Sequence, residues 1–288
     1  MPHGFKNYLE NNDYRIRTIS DHTKEIQNFF SFLDSQTDTP KELFQISSQD
    51  IKNYLDNQST KLSPTTVYKK LGILKLFFHY LWESNKVVVD PCVKITLPRT
   101  NREYKINLTH EMLKNIQEKV FNNPSYTTNL KLAFVFALYG FKSSELYFEK
   151  DDFEMLDDDE VLINTSKREV FIKGIPALIL IEFYNTRSLF AETPHFLFSK
   201  TTVNGKVVYN KVTYMNLNRH LNTIAKDFNL PELNLSKARQ SYIYHLAYIE
   251  KLSFEEISRK LGITVEWLGE LFGKTKDSDY PKTSNPSA

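Results

Sequence analysis

Cations that lie far from any acid are the residues of this chain whose spacing suggests chemistry. From Asn57 to Trp82 there is no acidic residue, and that stretch carries Lys61, Lys69, Lys70, Lys75 and His79. From Thr193 to Lys226 acids are again absent. Lys200, Lys206, Lys211, Arg219 and Lys226 sit there with His195 and His220. Between the two, Glu149 to Glu160 holds eight acids in twelve residues against Lys150 alone. Clustered cations favour phosphate, because each neutralised phosphate releases counterions. Other chemistry is missing. There is no GxxxxGK(S/T) loop, no GxGxxG, no HExxH and no zinc-ligand cluster. Cys92 is the single cysteine, which excludes an intramolecular disulfide framework and a Cys-built zinc site. The seven histidines are scattered, and His245 reads as a satisfied core residue. No cofactor and no metal are expected.

The totals hide this pattern. Lys plus Arg is 37 and Asp plus Glu is 35 in 288 residues, a formal charge of +2. That sum alone argues against a nucleic-acid partner, whereas the distribution argues for one. The apolar fraction of 41% is enough for real cores, and the length suggests two domains. No run approaches 18 consecutive apolar residues, so no membrane partner is expected. The start, MPHGFKNYLENNDYR, has no apolar h-region, which points to a cytoplasmic protein.

The elements that must position the cations read as mainly α with a small β-hairpin or sheet, an α+β chain. Residues 1–97 form a helical domain. Ile19, Ile26, Phe29, Phe30 and Leu33 lie near helical spacing. Ser47 or Ser48 caps a helix holding Ile51, Tyr54 and Leu55, with Asp50 in its first turn. Ser63-Pro64 opens a third helix, with Ser as cap and Pro at the first position. Its core stripe is Val67, Leu71, Leu74, Phe77, Phe78 and Leu81, and Thr65, Thr66, Lys69 and Lys70 face away from it. Residues 98–106 read as a polar, basic linker after Pro98. A second domain spans 107–272, and 273–288 reads as a flexible tail. Leu132 to Tyr139 is a buried helix ending at Gly140, and a helix is expected to start at Ser143. Glu160 to Asn164 and Glu169 to Lys173 pair across a Thr165–Arg168 turn. Helices follow at Ala177–Phe190, Tyr214–Phe228, Ser236–Ile249 and Phe254–Lys260, with Ser236 a candidate cap. LSFEEISRKLGITVEWLGELF also reads as helix, turn at Gly262, helix.

Four segments in this order carry a resemblance. LSPTTVYKKLGILKLFFHYLWESNKVVVDPCVKITLPR precedes ALYGFKSSELYFEKDDF, EVLINTSKREVFI, LNLSKARQSYIYHLA and ISRKLGITVEWLGELF. The chain resembles the tyrosine recombinase (phage integrase) family over nearly its whole length. The resemblance implies an N-terminal SAM-like core-binding domain and a catalytic-type domain that close as a C-shaped clamp on double-stranded DNA. It implies no metal and no nucleotide. Members attack a phosphodiester with a tyrosine hydroxyl, helped by cations on the non-bridging oxygens and a proton donor.

The departures lie in the catalytic residues. The family's first arginine is Lys142 here, and its hairpin lysine is present as Lys167. The His of His-x-x-Arg is Ser236, and its Arg is present as Arg239. The second His, sometimes Trp, is Ile263, and the nucleophile is Phe272. Phe272 has no hydroxyl, Ile263 donates nothing, Ser236 cannot titrate near neutral pH, and Lys142 lacks the bidentate fork. Losing one transition-state donor costs about 3–4 kcal/mol. The expectation is therefore a site-specific DNA-binding protein without strand transfer, serving as a transcriptional repressor of the prophage-lysogeny type, bacterial or phage-encoded. Its DNA contacts are expected from Thr65, Thr66, Lys69, Lys70, Lys142, Lys167, Lys237 and Arg239. The alternatives are a divergent or partner-dependent recombinase using Tyr280, eight residues beyond Phe272, or an accessory architectural factor. The tail is expected to engage a second copy or another recombinase-fold protein. Tyr242 and Tyr244 read as buried aromatics.

Overall fold

A computed structural model describes residues 4–36, 39–98 and 106–273. The chain divides into two compact units, residues 1–102 and 103–288.

The first unit is helical: α1 (Phe5–Asn11), α2 (Ile16–Asp34), α3 (Ser48–Ser59) and α4 (Pro64–Glu83). In α2 the buried apolar residues are Ile19, Ile26, Phe29 and Leu33, while Phe30 is only partly buried. Ser47 caps α3 reciprocally. The Asp50 N–H donates to Ser47 Oγ at 3.4 Å, and the Asp50 carboxylate accepts from the Ser47 N–H at 2.9 Å. α4 buries the expected stripe, with Leu74, Phe77, Phe78 and Leu81 fully enclosed. Pro64 takes its first position, but Ser63 Oγ meets Thr66 Oγ1 at 3.0 Å instead of capping a backbone N–H. Phe5 of α1 packs edge-on against Phe77 at 5.1 Å, and Phe29 packs edge-on against Tyr54 and Phe78. Interlocked rings of this kind hold short helices together, since each buried aromatic withdraws a large apolar area from water.

The second unit begins with α5 (His110–Phe121) and α6 (Thr128–Leu138). α6 is buried on nearly all sides and ends as the sequence predicts. Gly140 adopts a left-handed φ of 61°, its N–H donates to Ala137 O, and the Phe141 N–H reaches Phe136 O at 2.9 Å. A three-stranded antiparallel sheet follows, β1 (Phe153–Asp157), β2 (Glu160–Asn164) and β3 (Glu169–Lys173), in that spatial order. Val161, Ile163, Val170 and Ile172 turn into the core. The remaining elements are α7 (Ile175–Phe183), β4 (Phe198–Val203), β5 (Lys206–Lys211), α8 (Tyr214–Asp227), α9 (Leu235–Tyr248), α10 (Phe254–Leu261) and α11 (Val265–Gly273). No described helix is long and apolar enough to cross a membrane.

The structure corrects or adds to the local expectations at five places. Part of the acidic block forms β1, a strand not foreseen in the sequence, which buries Phe153 and exposes its carboxylates along a sheet edge. Charge on an edge strand discourages further pairing. Ser143–Leu146 is a single 3₁₀ turn, since the Glu145 carboxylate folds back onto the Lys142 N–H at 2.6 Å. The helix expected over Ala177–Phe190 starts at Ile175 and gives way to a π turn at Tyr184–Ser188. The second acid-free stretch contains an unexpected hairpin, β4–β5, whose Asn204-Gly205 turn has φ values of 50° and 75°. Ser236 is not a cap: Asn234 caps α9, its side chain accepting from the Lys237 N–H at 3.0 Å.

Candidate functional site

A cavity of about 620 Å³ in the second unit is lined by Lys142, Lys167, Ser236, Arg239 and Ile263, five of the six positions singled out from the sequence. They arrive from four places. Lys142 follows the α6 C-cap, Lys167 sits on the β2–β3 turn, Ser236 and Arg239 lie on the first turns of α9, and Ile263 follows α10. Phe141, Tyr214, Gln240, Gly262 and Trp267 complete much of the wall.

Glu145 organises the floor. Its side chain is 1% exposed and lies between two arginines that are nearly as buried. Arg239 Nη1 donates to Glu145 Oε2 at 2.8 Å and to Gly140 O at 2.6 Å, and its Nη2 donates to Leu261 O at 2.8 Å. Arg168 Nε donates to Glu145 Oε1 at 3.2 Å, and its Nη2 donates to Tyr139 O at 3.0 Å. The Arg168 guanidinium also lies over the Phe141 ring at 5.3 Å. Burial pulls Arg239 below the ordinary arginine value, and Glu145 opposes that shift. A buried charge of this kind persists because a counter-charge and hydrogen bonds replace its water. Arg239 is therefore fixed in orientation and partly neutralised, while Lys142 and Lys167 are exposed and make no ion pair among the described residues.

Two glycines permit the assembly. A Cβ on Gly262 would meet Lys167 O at 2.5 Å, and Gly262 is left-handed at φ 59°. The turn between α10 and α11 thus sits directly on the hairpin turn that carries Lys167. A Cβ on Gly140 would meet the Tyr242 ring at 2.6 Å. Burial pushes the Tyr242 phenol up to about 12, consistent with a core aromatic. His245 is half satisfied: its Nε2 meets Glu250 at 3.5 Å, but its Nδ1 is buried without a partner.

Phe272 does not line this cavity. Its ring packs with Tyr244 at 5.1 Å, Tyr248 at 5.7 Å and Phe254 at 5.0 Å, in the apolar cluster that joins α9, α10 and α11. Tyr280 lies outside the described residues. Lys237 also stays out of the cavity and pairs with Glu232 at 2.7 Å on the surface. In the first unit, Thr66 and Lys69 are exposed and Thr65 is half-buried. Lys70 departs from the expected outward face. It pairs with Glu25, which also accepts from Tyr54 Oη at 2.6 Å. Its charge is spent inside the fold.

The sequence reading passed over Arg168, Glu145, Tyr214 and Trp267. Arg168 directly follows Lys167, and nothing in the local pattern says which of the two turns inward. Thr165 closes the turn from both sides, its Oγ1 accepting from the Arg168 N–H at 3.0 Å and donating to Arg168 O at 2.7 Å. That side-chain turn was the available signal.

With this geometry established, the comparisons with known proteins are informative. Residues 3–85 match the family model described as phage integrase, N-terminal SAM-like domain. The chain is 28% identical over 167 residues to the tyrosine recombinase XerC of Bacillus pumilus (strain SAFR-032), covering 57% of this chain and 54% of that protein. The match thus spans about half the length of this curated relative. Among solved structures, a lambda integrase dimer bound to a COC' core site superposes with a TM-score of 0.65 at 13% identity, covering 96% of this chain and 95% of that one. The XerH site-specific recombinase bound to difH substrate gives 0.63 at 18%, covering 84% and 72%. The architecture is the tyrosine recombinase fold with an N-terminal SAM-like domain. The match of residues 3–85, the curated relative and the fold are all similarities to tyrosine recombinases and phage integrases.

Proposed function

We propose that this chain is a sequence-specific DNA-binding protein of the tyrosine recombinase type that holds a backbone phosphate without cutting it, and that it acts as a transcriptional repressor of the prophage-lysogeny kind. One observation carries the reading. Lys142, Lys167, Ser236 and Arg239 share a cavity, while the residue at the family's nucleophile position is Phe272, packed among aromatic rings. A phosphate there meets two free ammonium groups, a hydroxyl and the edge of a braced guanidinium, which suits ground-state binding. Thr65, Thr66 and Lys69 on α4 supply the first unit's contacts, and Lys237 can reach a neighbouring phosphate once freed from Glu232. The lambda integrase and XerH structures of similar fold are bound to a core site and to difH substrate, which supports duplex DNA as the ligand. The C-terminal residues 274–288 would engage a second copy or another recombinase-fold protein, as the resemblance implies.

Selection of bound genomic fragments, followed by footprinting and salt titration, tests this reading. Protected sites overlapping promoters, with a steep salt slope, support repression. Sites beside attachment sequences point to an accessory architectural role instead. A second reading, an active recombinase, is favoured by the curated relative, which is a tyrosine recombinase. Its nucleophile would be Tyr280 or Tyr214, the latter a phenol in the cavity wall.

A further inference from the structure

A second cavity, of about 650 Å³, lies in the same unit between α6, α7 with its π turn, the β4–β5 hairpin and α8. None of the six recombinase positions lines it. Its floor is apolar: Leu132, Phe183, Leu197 and Leu217 are buried there. Phe198 and Tyr209 form an aromatic wall, in edge contact at 5.2 Å, and Phe190 stands exposed at the mouth. The charged lining is of one sign. Arg187, Lys200, Arg219 and His220 contribute, and no Asp or Glu lines the cavity. None of Arg187, Lys200 and Arg219 forms an ion pair among the described residues. The π turn at Tyr184–Ser188 adds to the pattern. It widens the helix by one residue just where Arg187 must face the cavity with Phe183, and such turns concentrate at functional sites.

A volume in the small-molecule range, an apolar floor and a few convergent polar groups define a ligand site rather than a packing defect. A packing defect would be lined by apolar groups alone, whereas Arg187, Lys200 and Arg219 stand exposed around this apolar floor without ion-pair partners among the described residues. We infer that this cavity binds a small organic anion with an aromatic body, the body against Phe183, Leu217 and Phe198 and the acid group between Arg187, Lys200 and Arg219. Such a molecule is a natural effector for a DNA-binding protein. α8 carries Leu217 and Arg219 in this cavity and Tyr214 in the candidate phosphate cavity, so one helix borders both. Binding of the anion requires only the cavity, while its role as an effector rests on the proposed function.

Fluorescence titration of the full chain with anilinonaphthalene sulfonate tests it, with the uncharged N-phenylnaphthylamine as the matched apolar probe. The expected result is saturable binding of one sulfonate per chain. Arg187→Ala and Arg219→Ala should each weaken it about tenfold, as loss of a charge-assisted contact does, with far-ultraviolet dichroism and melting unchanged. The uncharged probe should bind weakly and be indifferent to both variants. Lys200→Ala, on an exposed strand, gives a second variant of low folding risk. Equal binding of the two probes, insensitivity to all three substitutions, or displacement of the sulfonate by an arbitrary DNA duplex would overturn the inference, the last by assigning the rim to nucleic acid.

Discussion

Each unit buries a glutamate against cations, and the two arrangements serve different ends. In the first unit Glu25 joins Lys70 of α4 to Tyr54 of α3, a cross-brace between helices. In the second, Glu145 joins Arg168 of the hairpin to Arg239 of α9 beneath a cavity. The first pair removes a lysine from a basic face and ends there. The second holds an arginine at a cavity wall while exposed lysines stand beside it. A buried carboxylate can thus be a brace or a foundation, and what separates the two is that Arg239, unlike Lys70, lines a cavity.

The largest effect is expected from Glu145→Ala. It strands two buried guanidinium groups, and removing one partner of such a pair costs about 3–5 kcal/mol. Urea unfolding should show the loss in the second unit, with duplex binding abolished. Glu25→Ala should cost about 2–3 kcal/mol, confined to the first unit and leaving the cavity intact. Gly262→Ala forces a Cβ into Lys167 O at a left-handed φ, and should cost about 2 kcal/mol by the same unfolding assay. The neighbouring lysines of α4 sharpen the contrast further. Lys69→Glu should weaken duplex binding about tenfold in gel-shift assays with no change in unfolding midpoint. Lys70→Glu should chiefly destabilise the fold, since it sets a second carboxylate against Glu25.

Acid should act on the second unit through histidine. Burial drives the His110 pKa down to about 3, with His245 beside it at a ring separation of 4.8 Å. His245 is also lowered, again mainly by burial. The folded state therefore binds these protons less well than the unfolded chain. The stability is complete above about pH 6.5 and is lost as pH falls from there toward about 3, at up to about 1.4 kcal/mol per pH unit for each proton. His110→Leu should flatten that slope when unfolding is followed across the interval.

Much of the fold was legible because its signals are local. Ser47 with Asp50, Pro64 at a helix start, Gly140 after an apolar run and the β2–β3 alternation each act within a few residues. The β4–β5 hairpin has a local signal too, Asn204-Gly205, but its strands are mostly exposed and lack the apolar alternation of β2 and β3. The site was legible in part. Five positions converge as the order of segments implies, since a resemblance in order carries tertiary information that periodicity lacks. What the sequence could not tell was where each cation's charge goes. Lys69 and Lys70, or Lys167 and Arg168, are adjacent and chemically alike. Only the distant Glu25 and Glu145 decide which member of each pair turns inward.

Phosphate binding without strand transfer is tested by incubating the full chain with a nicked suicide duplex carrying its selected genomic site, then resolving covalent adducts on a denaturing gel. The expected result is a bound complex under native conditions and no adduct after denaturation. A covalent adduct that disappears in Tyr280→Phe or Tyr214→Phe would contradict it and make the chain an active recombinase.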